Sequence, residues 1–467
     1  RRVWHAVAAR RAAPLWLALL VLVIFPVGCF LLLAFTPKLL GQPGGWFSLS
    51  AWGDIASDGF SAALINSVWV SAAVAVCAPT LGGALAWLVR RTDLPGRRLV
   101  SGLAWAALLM PTYLIADGLE YLFEPRGLLD VLGLPAPWAY HLLLSPVGII
   151  LVLAVAGTPF CFLTISAGLA NLGSDLEDAA LVHGASRWQL IRLVIGLVTP
   201  AVAGALAIGF AESMSDFGVA YTLGFQSHFQ LATFSLYQAI DSFPANFPAA
   251  SAVSWLLIAS AAIPIALQAR AQRGRSYGLN LGRQRPIARR RLSRPAKVAW
   301  LTLPIGFALL ALAVPLLSAG ASSLLTNLAG FGTAGSHLTL ANYRTLLTGD
   351  SRALGGASAM ASLFLSTRLA LVSGIVVTLL ALAVALAVRP GRSGPGARFA
   401  DLILLGSVAL PGVVLGAGYI FAFNLPIMST LGINLYGTLP LLAMAYVAGA
   451  LPSHARLMAG PVAQVKT

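Results

Sequence analysis

A polar stretch between two long apolar runs carries the residues whose spacing is most informative about function. Its acidic start is followed by two alanines and then by a glycine four positions after Ala180. Small side chains permit close approach to a partner, and Gly184 permits a turn conformation that residues with a Cβ avoid. The pattern predicts a short helix capped by Ser174 or Asp175, a turn and a second short helix, with an ordinary amphipathic loop as the alternative. The residues that carry this hypothesis are Glu177, Asp178, Ala179, Ala180, Gly184 and Arg187, within a loop at about 171–195.

Three charged residues lie inside apolar runs. Glu212 and Asp216 are four residues apart, which places them on one face if the run is helical. Arg368 lies about one third of the way into a later run. Charges within a membrane are rare and usually face a partner or a wet cavity. We therefore expect the three to form one cluster bordering a translocation path, and a buried ion pair that only fixes packing is the alternative.

The sequence offers no catalytic, metal or cofactor site of its own. A P-loop needs Gly, four residues, then Gly-Lys and Ser/Thr, whereas the pair Lys466-Thr467 follows a valine. The cysteines lie in apolar runs and lack zinc-ligand spacing. An intramembrane enzyme would need clustered His, Cys or carboxylates, but the histidines are scattered at His5, His141, His183, His228, His337 and His454.

The elements that must position these residues are membrane spans. Of 467 residues, 58% are hydrophobic and only 10% are charged, whereas soluble domains carry roughly 25% charged residues. A span needs about 20 consecutive apolar residues. This criterion predicts an all-α polytopic membrane protein with ten spans, at about 15–35, 62–89, 99–121, 143–169, 198–223, 249–268, 298–319, 357–388, 400–423 and 437–460.

The distribution of basic residues predicts the orientation. Counted on alternate sides of the spans, 25 of the 30 Lys and Arg fall on the side of the N-terminus. Cytoplasmic loops carry such an excess, so the N-terminus is predicted to be cytoplasmic in a multi-pass protein of the cell (inner) membrane. The net charge of +15 then reflects topology and the lipid bilayer, and no nucleic acid partner is expected. The opposite side and its adjacent half of the membrane keep Lys38, Arg126, Arg344, Arg352 and Arg368.

A basic linker divides the chain into two halves that resemble each other. We predict a first half at 1–270 with six spans, a cytoplasmic linker at 271–297, and a second half at 298–467 with four spans. Leu94–Arg98 matches Gly394–Arg398 at an offset of 300. Both copies run in the same direction, as in parallel transporter repeats. The paired motifs that follow are Met110-Pro111 with Leu410-Pro411, and Thr158-Pro159 with Leu451-Pro452.

The second copy is shorter than the first. At the offset of 292 that relates Ala167-Gly168 to Ala459-Gly460, Thr467 corresponds to Asp175. We expect a second acidic-Ala-Ala-x-x-x-Gly loop and two more spans to follow, for twelve in all. A naturally short second half is the alternative.

The stretch from Asp178 to Gly184 resembles the conserved cytoplasmic loop of ABC importer permeases, whose pattern is Glu-Ala-Ala, three residues, then Gly. Here Asp178 replaces the usual Glu, and Gly196-Leu197 stands where that family has Leu-Pro. The resemblance implies coupling helices that seat in a separate ATPase subunit. That subunit, expected in two copies, would bind ATP-Mg. It also implies an extracytoplasmic substrate-binding protein.

Two fused halves narrow the resemblance to permeases of the ferric-iron type. The stretches that look like this branch are Ser215–Gly218, Leu236–Ile240 and Asn246–Pro248. The resemblance implies ferric iron as substrate, with thiamine or another small solute as the alternative. An ion-coupled secondary transporter is a second alternative, although it gives the polar loop no role. Carboxylates in outer loops are predicted to meet the binding protein, namely Asp54, Asp58, Glu124, Asp130, Asp241 and Asp350.

Overall fold

The computed structural model describes residues 15–36, 39, 46–57, 59–170, 172, 175–272, 289–326, 337–348, 358–387 and 410–464. In these ranges the chain is almost entirely helical and forms no β-strand, only two isolated backbone bridges. The predicted all-α class is therefore confirmed. The repeat motif Gly394–Arg398, most of the basic linker, Ser174 and Thr467 lie outside the described residues.

Within the described ranges, seven helices are long and apolar enough to cross a membrane. With the shorter elements, the helices in chain order are α1 Leu15–Leu32, α2 Ser50–Ser57, α3 Phe60–Arg91, α4 Arg97–Leu108, α5 Thr112–Phe123, α6 Leu128–Val131, α7 Pro137–Leu143, α8 Pro146–Ala170, α9 Asp175–Val182, α10 Arg187–Ser215, α11 Ala232–Asp241, α12 Phe247–Gln272, α13 Arg294–Ser323, α14 Ala341–Thr348, α15 Ala359–Ala387, α16 Gly412–Ala422, α17 Pro426–Thr430 and α18 Leu439–Gln464. A separate π-helical turn, Ala220–Gly224, follows α10.

The third predicted span, at about 99–121, is broken into two helices. The chain bends by 101° between α4 and the α5–α6 segment. Pro111 sits at the bend with an extended backbone, φ −63° and ψ 137°, and starts α5. Proline lacks the N–H that would continue the helix and clashes with the preceding turn. The structure thus has an eighth span only if this bent pair crosses the membrane as one unit.

The fifth predicted span also changes. Its helix, α10, begins at Arg187 and ends at Ser215, in place of the predicted 198–223. The second short helix predicted for the polar loop is the first part of this single 29-residue helix. Pro200 lies within α10, and proline is tolerated inside membrane helices because neighbouring groups satisfy the freed backbone.

Two helices with shorter apolar segments, Gly412–Ala422 and Leu439–Ala455, occupy the places of the last two predicted spans. The ninth span, predicted at 400–423, is described only from residue 410, where α16 begins directly after Pro411. The tenth, predicted at 437–460, corresponds to α18.

The described helices form two compact units. The first contains the described parts of 1–64, 232–262 and 341–467. In it α1 packs on α16, where the Tyr419 hydroxyl donates to the Leu22 carbonyl at 2.8 Å. Leu22 lies within a π-helical segment, Leu20–Ile24, and such segments are common at functional or strained places in helices. Helices α15 and α18 share an apolar core with α1, built from Leu19, Val377, Ala381, Val384, Val447, Leu451 and Ala455.

The second unit contains the described parts of 65–231 and 263–340. Helix α8 packs on α10, and α5 packs on the last part of α13. A Cβ built on Gly118 of α5 would lie 2.4 Å from Cα of Pro315, so only glycine fits there. The Ser318 hydroxyl donates to the Gly118 carbonyl at 2.9 Å. Each unit draws chain from both predicted halves, and the division by sequence repeat stays a prediction.

Candidate coupling loop and charged cavity

Helix α9 ends in a tight backbone motif centred on Gly184. The Gly184 N–H donates to the Leu181 carbonyl at 2.9 Å, and the Ala185 N–H donates to the Ala180 carbonyl at 2.9 Å. Gly184 has a φ of +77°. This pair of bonds with a left-handed glycine is the Schellman motif, which satisfies the last carbonyls of a helix. The first predicted helix and the predicted turn at Gly184 are therefore present.

The next helix is capped just as firmly. The Gln189 N–H donates to the Ser186 hydroxyl at 3.3 Å, and the Ser186 N–H donates to Oε1 of Gln189 at 2.7 Å. This reciprocal capping box fixes the direction in which a helix begins. Because both ends of the turn are held by hydrogen bonds, α9 and the start of α10 form one defined helix–turn–helix. Glu177 belongs to α9 and Arg187 begins α10, and their side chains lie outside the described part of the structure.

The helix–turn–helix exposes apolar side chains that sequence reasoning overlooked. Val182 is 86% exposed and Trp188 is 74% exposed, and Leu181 is also exposed. Asp178 and Ala179 are exposed and Ala180 is half-buried. We call Leu181, Val182 and Trp188 the apolar face of the loop. Exposed apolar residues grouped in this way mark interaction surfaces, and the signal was available in the sequence as bulky residues among polar ones.

Helix α10 connects this loop to a small cavity. Glu212 lies 25 residues after Arg187 on the same helix, a distance of roughly 38 Å at 1.5 Å per residue. The cavity has a volume of about 50 Å³, and its polar lining consists of Thr112, Glu212, Ser213 and Asp216. Among these, Ser213 shares a hydrogen bond with Ser71 of α3 at 3.2 Å. A displacement of the loop along α10 would therefore reach the cavity wall.

Glu212 and Asp216 do not share a helical face as predicted, because α10 ends at Ser215. Asp216 has an extended backbone, with ψ 126°. Its carboxylate accepts hydrogen bonds from the Val219 N–H, at 2.8 Å, and from the Thr112 side chain. The two carboxylates nevertheless line the same cavity. Arg368 lies exposed on α15 in the other unit, and the cluster of three charges stays a prediction.

Two further carboxylates lie within an apolar run and were not predicted as site residues. Asp117 and Glu120 lie on α5, within the third predicted span. Glu120 is buried and its carboxylate hydrogen-bonds to Gln226. Their spacing of three residues on an apolar helix was the available signal. Over the described ranges, no group of three or more His, Cys, Asp or Glu side chains is placed to hold a metal ion.

Residues 78–275 match the family described as binding-protein-dependent transport system inner membrane component. The matched segment contains the helix–turn–helix, α10 and most of the cavity. This segment is therefore similar to the inner membrane components of binding-protein-dependent transport systems. Arg368 and the second predicted half lie outside the match.

Individual relatives carry different substrates in their names. The chain is 27% identical to the sulfate transport system permease protein CysT of Escherichia coli over 177 residues, 38% of this chain and 63% of the relative. It is 30% identical to the trehalose transport system permease protein SugB of Mycobacterium tuberculosis over 167 residues, 36% of this chain and 56% of the relative. The chain thus spans less than two thirds of these relatives. A probable ABC transporter permease, y4fN of Sinorhizobium fredii, is 25% identical over 464 residues, covering 95% of this chain and 77% of its own length.

Proposed function

We propose that this chain is the membrane-spanning subunit of an ATP-driven importer, with its substrate path in the helical units and its energy supplied by a separate ATPase. The observation that carries the proposal is the rigid helix–turn–helix with an apolar face, joined by the single helix α10 to a cavity lined by carboxylates. An ion-coupled transporter has no use for such a loop. A lever that transmits force needs both the rigid turn and the continuous helix.

In this proposal the apolar face of the loop, Leu181, Val182 and Trp188, seats in a groove of the ATPase. Ala179 and Ala180 allow the backbone to approach that groove, and Gly184 sets the angle between the two helices. Two ATPase copies would bind ATP-Mg, and this chain would bind no nucleotide. The closing movement of the ATPase then acts on α10, and through it on the Glu212 end of the cavity.

The cargo is a small solute, and ferric iron is our first candidate. Two carboxylates at one cavity attract a cation and repel an oxyanion such as sulfate or molybdate. The relatives' names favour oxyanions or trehalose instead, and thiamine remains a further alternative. The two carboxylates therefore favour a cation, whereas the similarity to named relatives favours an oxyanion or trehalose. Measured uptake decides between these cargoes.

We further propose that an extracytoplasmic binding protein delivers the cargo to the outer loops. Of the six acidic residues predicted for that contact, Asp58 and Asp350 lie outside the described residues. Exposed ion pairs contribute only about 0–1 kcal/mol each. Docking should therefore weaken with salt and require several neutralisations at once. We also propose that the chain lies in the inner membrane with its N-terminus in the cytoplasm.

The test is reconstitution of the complete importer, with its ATPase and binding protein, in vesicles. Uptake of ferric iron, sulfate, molybdate, trehalose and thiamine is measured with and without ATP. ATP-dependent uptake of one solute that is lost in Glu212→Gln supports both the importer and the cavity as its path. Uptake driven by an ion gradient without ATP would refute the importer.

A further inference from the structure

The segment before α13 makes a set of contacts that is separate from the coupling loop. The backbone of residues 290–292 pairs with the turn between α3 and α4. The Arg290 N–H donates to the Arg91 carbonyl at 2.9 Å, and the Asp93 N–H donates to the Arg290 carbonyl at 3.1 Å. Asp93 also accepts from the Leu292 N–H at 2.8 Å and from Nζ of Lys297 at 2.7 Å. We call this set of contacts the clasp.

The hydrogen bonds of the clasp hold the segment before α13 in one position. Both side chains of the Asp93–Lys297 pair are about one third exposed, at 30% and 31%. The hydrogen bond from Lys297 and that from the Leu292 N–H lower the pKa of the Asp93 carboxyl. Because the carboxylate bonds a backbone N–H as well as an ammonium, it fixes the chain direction at the start of α13.

The result is a concentration of guanidinium groups in two short segments. Helices α4 and α13, which begin at these segments, contact each other. Across residues 92–98 and 289–297, Asp93 is the single acidic residue, and the clasp uses it. The side chains of Arg98, Arg290 and Arg294 are exposed. The complete set of arginines in these segments is Arg97, Arg98, Arg289, Arg290, Arg291 and Arg294.

Exposed apolar side chains follow directly after basic residues on both helices. Leu99 is 66% exposed and Val298 is 69% exposed, and Trp300 is also exposed. Tryptophan is enriched where a helix passes the headgroup level of a membrane. Cations followed by apolar residues along two neighbouring helices match a phospholipid, whose phosphate lies at the membrane surface and whose chains lie deeper.

We propose that the clasp builds a binding site for one anionic phospholipid of the cytoplasmic leaflet, with its phosphate between the starts of α4 and α13. Arg290, Arg291 and Arg294 supply the positive charge, and Leu99 and Val298 contact the acyl chains. A protein partner with an acidic surface would match the arginines but not the exposed apolar residues beside them. The site is independent of the transported solute and of the ATPase contact.

The first experiment compares lipid binding by the full chain in detergent. Native mass spectrometry follows binding of phosphatidylglycerol and of phosphatidylcholine. The variant Arg290→Gln, Arg291→Gln, Arg294→Gln should bind phosphatidylglycerol on the order of a hundredfold more weakly, since three cations that each attract the lipid are lost. The control removes the same charge at exposed positions outside the clasp, as Arg192→Gln, Arg270→Gln, Arg344→Gln, and should bind as the wild type does. Equal losses in both variants would overturn the proposal.

The second experiment separates a built site from general attraction. Asp93→Ala makes the chain more positive but breaks the clasp. A built site predicts weaker phosphatidylglycerol binding by this variant, whereas simple charge attraction predicts stronger binding. Unchanged or stronger binding by a variant that elutes as folded protein would refute the clasp as the origin of the site. Normal lipid binding by the triple arginine variant, with loss of ATPase copurification, would assign the arginines to a protein partner instead.

Discussion

At the scale of residues, Gly184 is the position in the loop where an added side chain should alter the backbone turn most strongly. Its φ of +77° lies where a side chain is strained, yet a Cβ there would meet no atom within 4 Å. A substitution would therefore alter the turn by backbone strain alone, without a steric clash. The two bonds from Gly184 and Ala185 back to α9 depend on that backbone conformation.

We predict that Gly184→Val impairs transport and ATPase association while the protein still inserts in the membrane. A β-branched residue in this conformation costs on the order of 1–3 kcal/mol, which the turn can avoid only by rearranging. Gly196→Val is the matched control, because Gly196 lies on α10 with open space and no positive φ. Copurification of the ATPase and solute uptake measure the effect. Wild-type behaviour of Gly184→Val would reduce the loop to a connector.

Ala180 gives a second test of close approach at the loop. A bulky residue such as Ala180→Trp should prevent seating in the ATPase groove, because overpacking typically costs 1–3 kcal/mol. Ala180 is only half-buried within this chain, so folding should survive. We expect loss of ATPase-dependent uptake at a normal expression level. A fall in expression equal to the fall in uptake would point to folding instead.

The apolar face of the loop yields a prediction about binding alone. Val182→Asp should abolish ATPase copurification with little effect on stability, because Val182 makes few contacts within this chain at 86% exposure. Leu134→Asp is the control, as Leu134 is similarly exposed in the loop after α6. Thermal unfolding in detergent should be unchanged in both variants. Retained ATPase binding by Val182→Asp would remove this face from the interface.

At the scale of elements, the sequence predicts helices better than it predicts their ends. Helix α9 was predictable because a polar loop shows its capping residues and its glycine. The end of α10 at Ser215 was not, since an apolar run has no periodicity that changes when the helix stops. Asp216 was therefore placed on a helical face that does not extend to it. Pro111 indicates a helix break in the sequence, but a count of apolar residues does not register it.

Helix packing offers a prediction at the same scale. Gly118→Ala should destabilise the protein, because the new Cβ would lie 2.4 Å from the Cα of Pro315 and backbone cannot move aside easily. We expect a loss of about 1–3 kcal/mol, as for other overpacked sites. Gly102→Ala on α4 is the control, since no atom lies within 4 Å of its added Cβ. Thermal unfolding in detergent compares the two, and equal midpoints would contradict the packing of α5 on α13.

At the scale of the whole molecule, the bent pair of α4 and α5 determines which loops share a side of the membrane. If the pair crosses, the loop at Gly184 and the basic segment up to Lys297 lie on the same side as Arg97 and Arg98. If the pair turns back, both are moved to the opposite side, which is incompatible with the clasp between Arg290 and Arg91. The basic segment from Arg270 to Lys297 contains ten cations and no acidic residue, so the positive-inside rule favours crossing.

We therefore predict that the bent pair spans the membrane despite its 101° bend. Single cysteines at Arg98, Leu134 and Val182, in a variant lacking the three native cysteines, are labelled from outside with a membrane-impermeant maleimide. Arg98→Cys and Val182→Cys should react only after permeabilisation, and Leu134→Cys should react in intact cells. The comparison of Arg98 with Leu134 tests the crossing itself, whichever way the N-terminus faces. If Arg98→Cys and Leu134→Cys were labelled from the same side, the pair would be re-entrant. The loop at Gly184 would then lie on the side of the membrane opposite Arg98. An ATPase on the side of Arg98 could not reach it there.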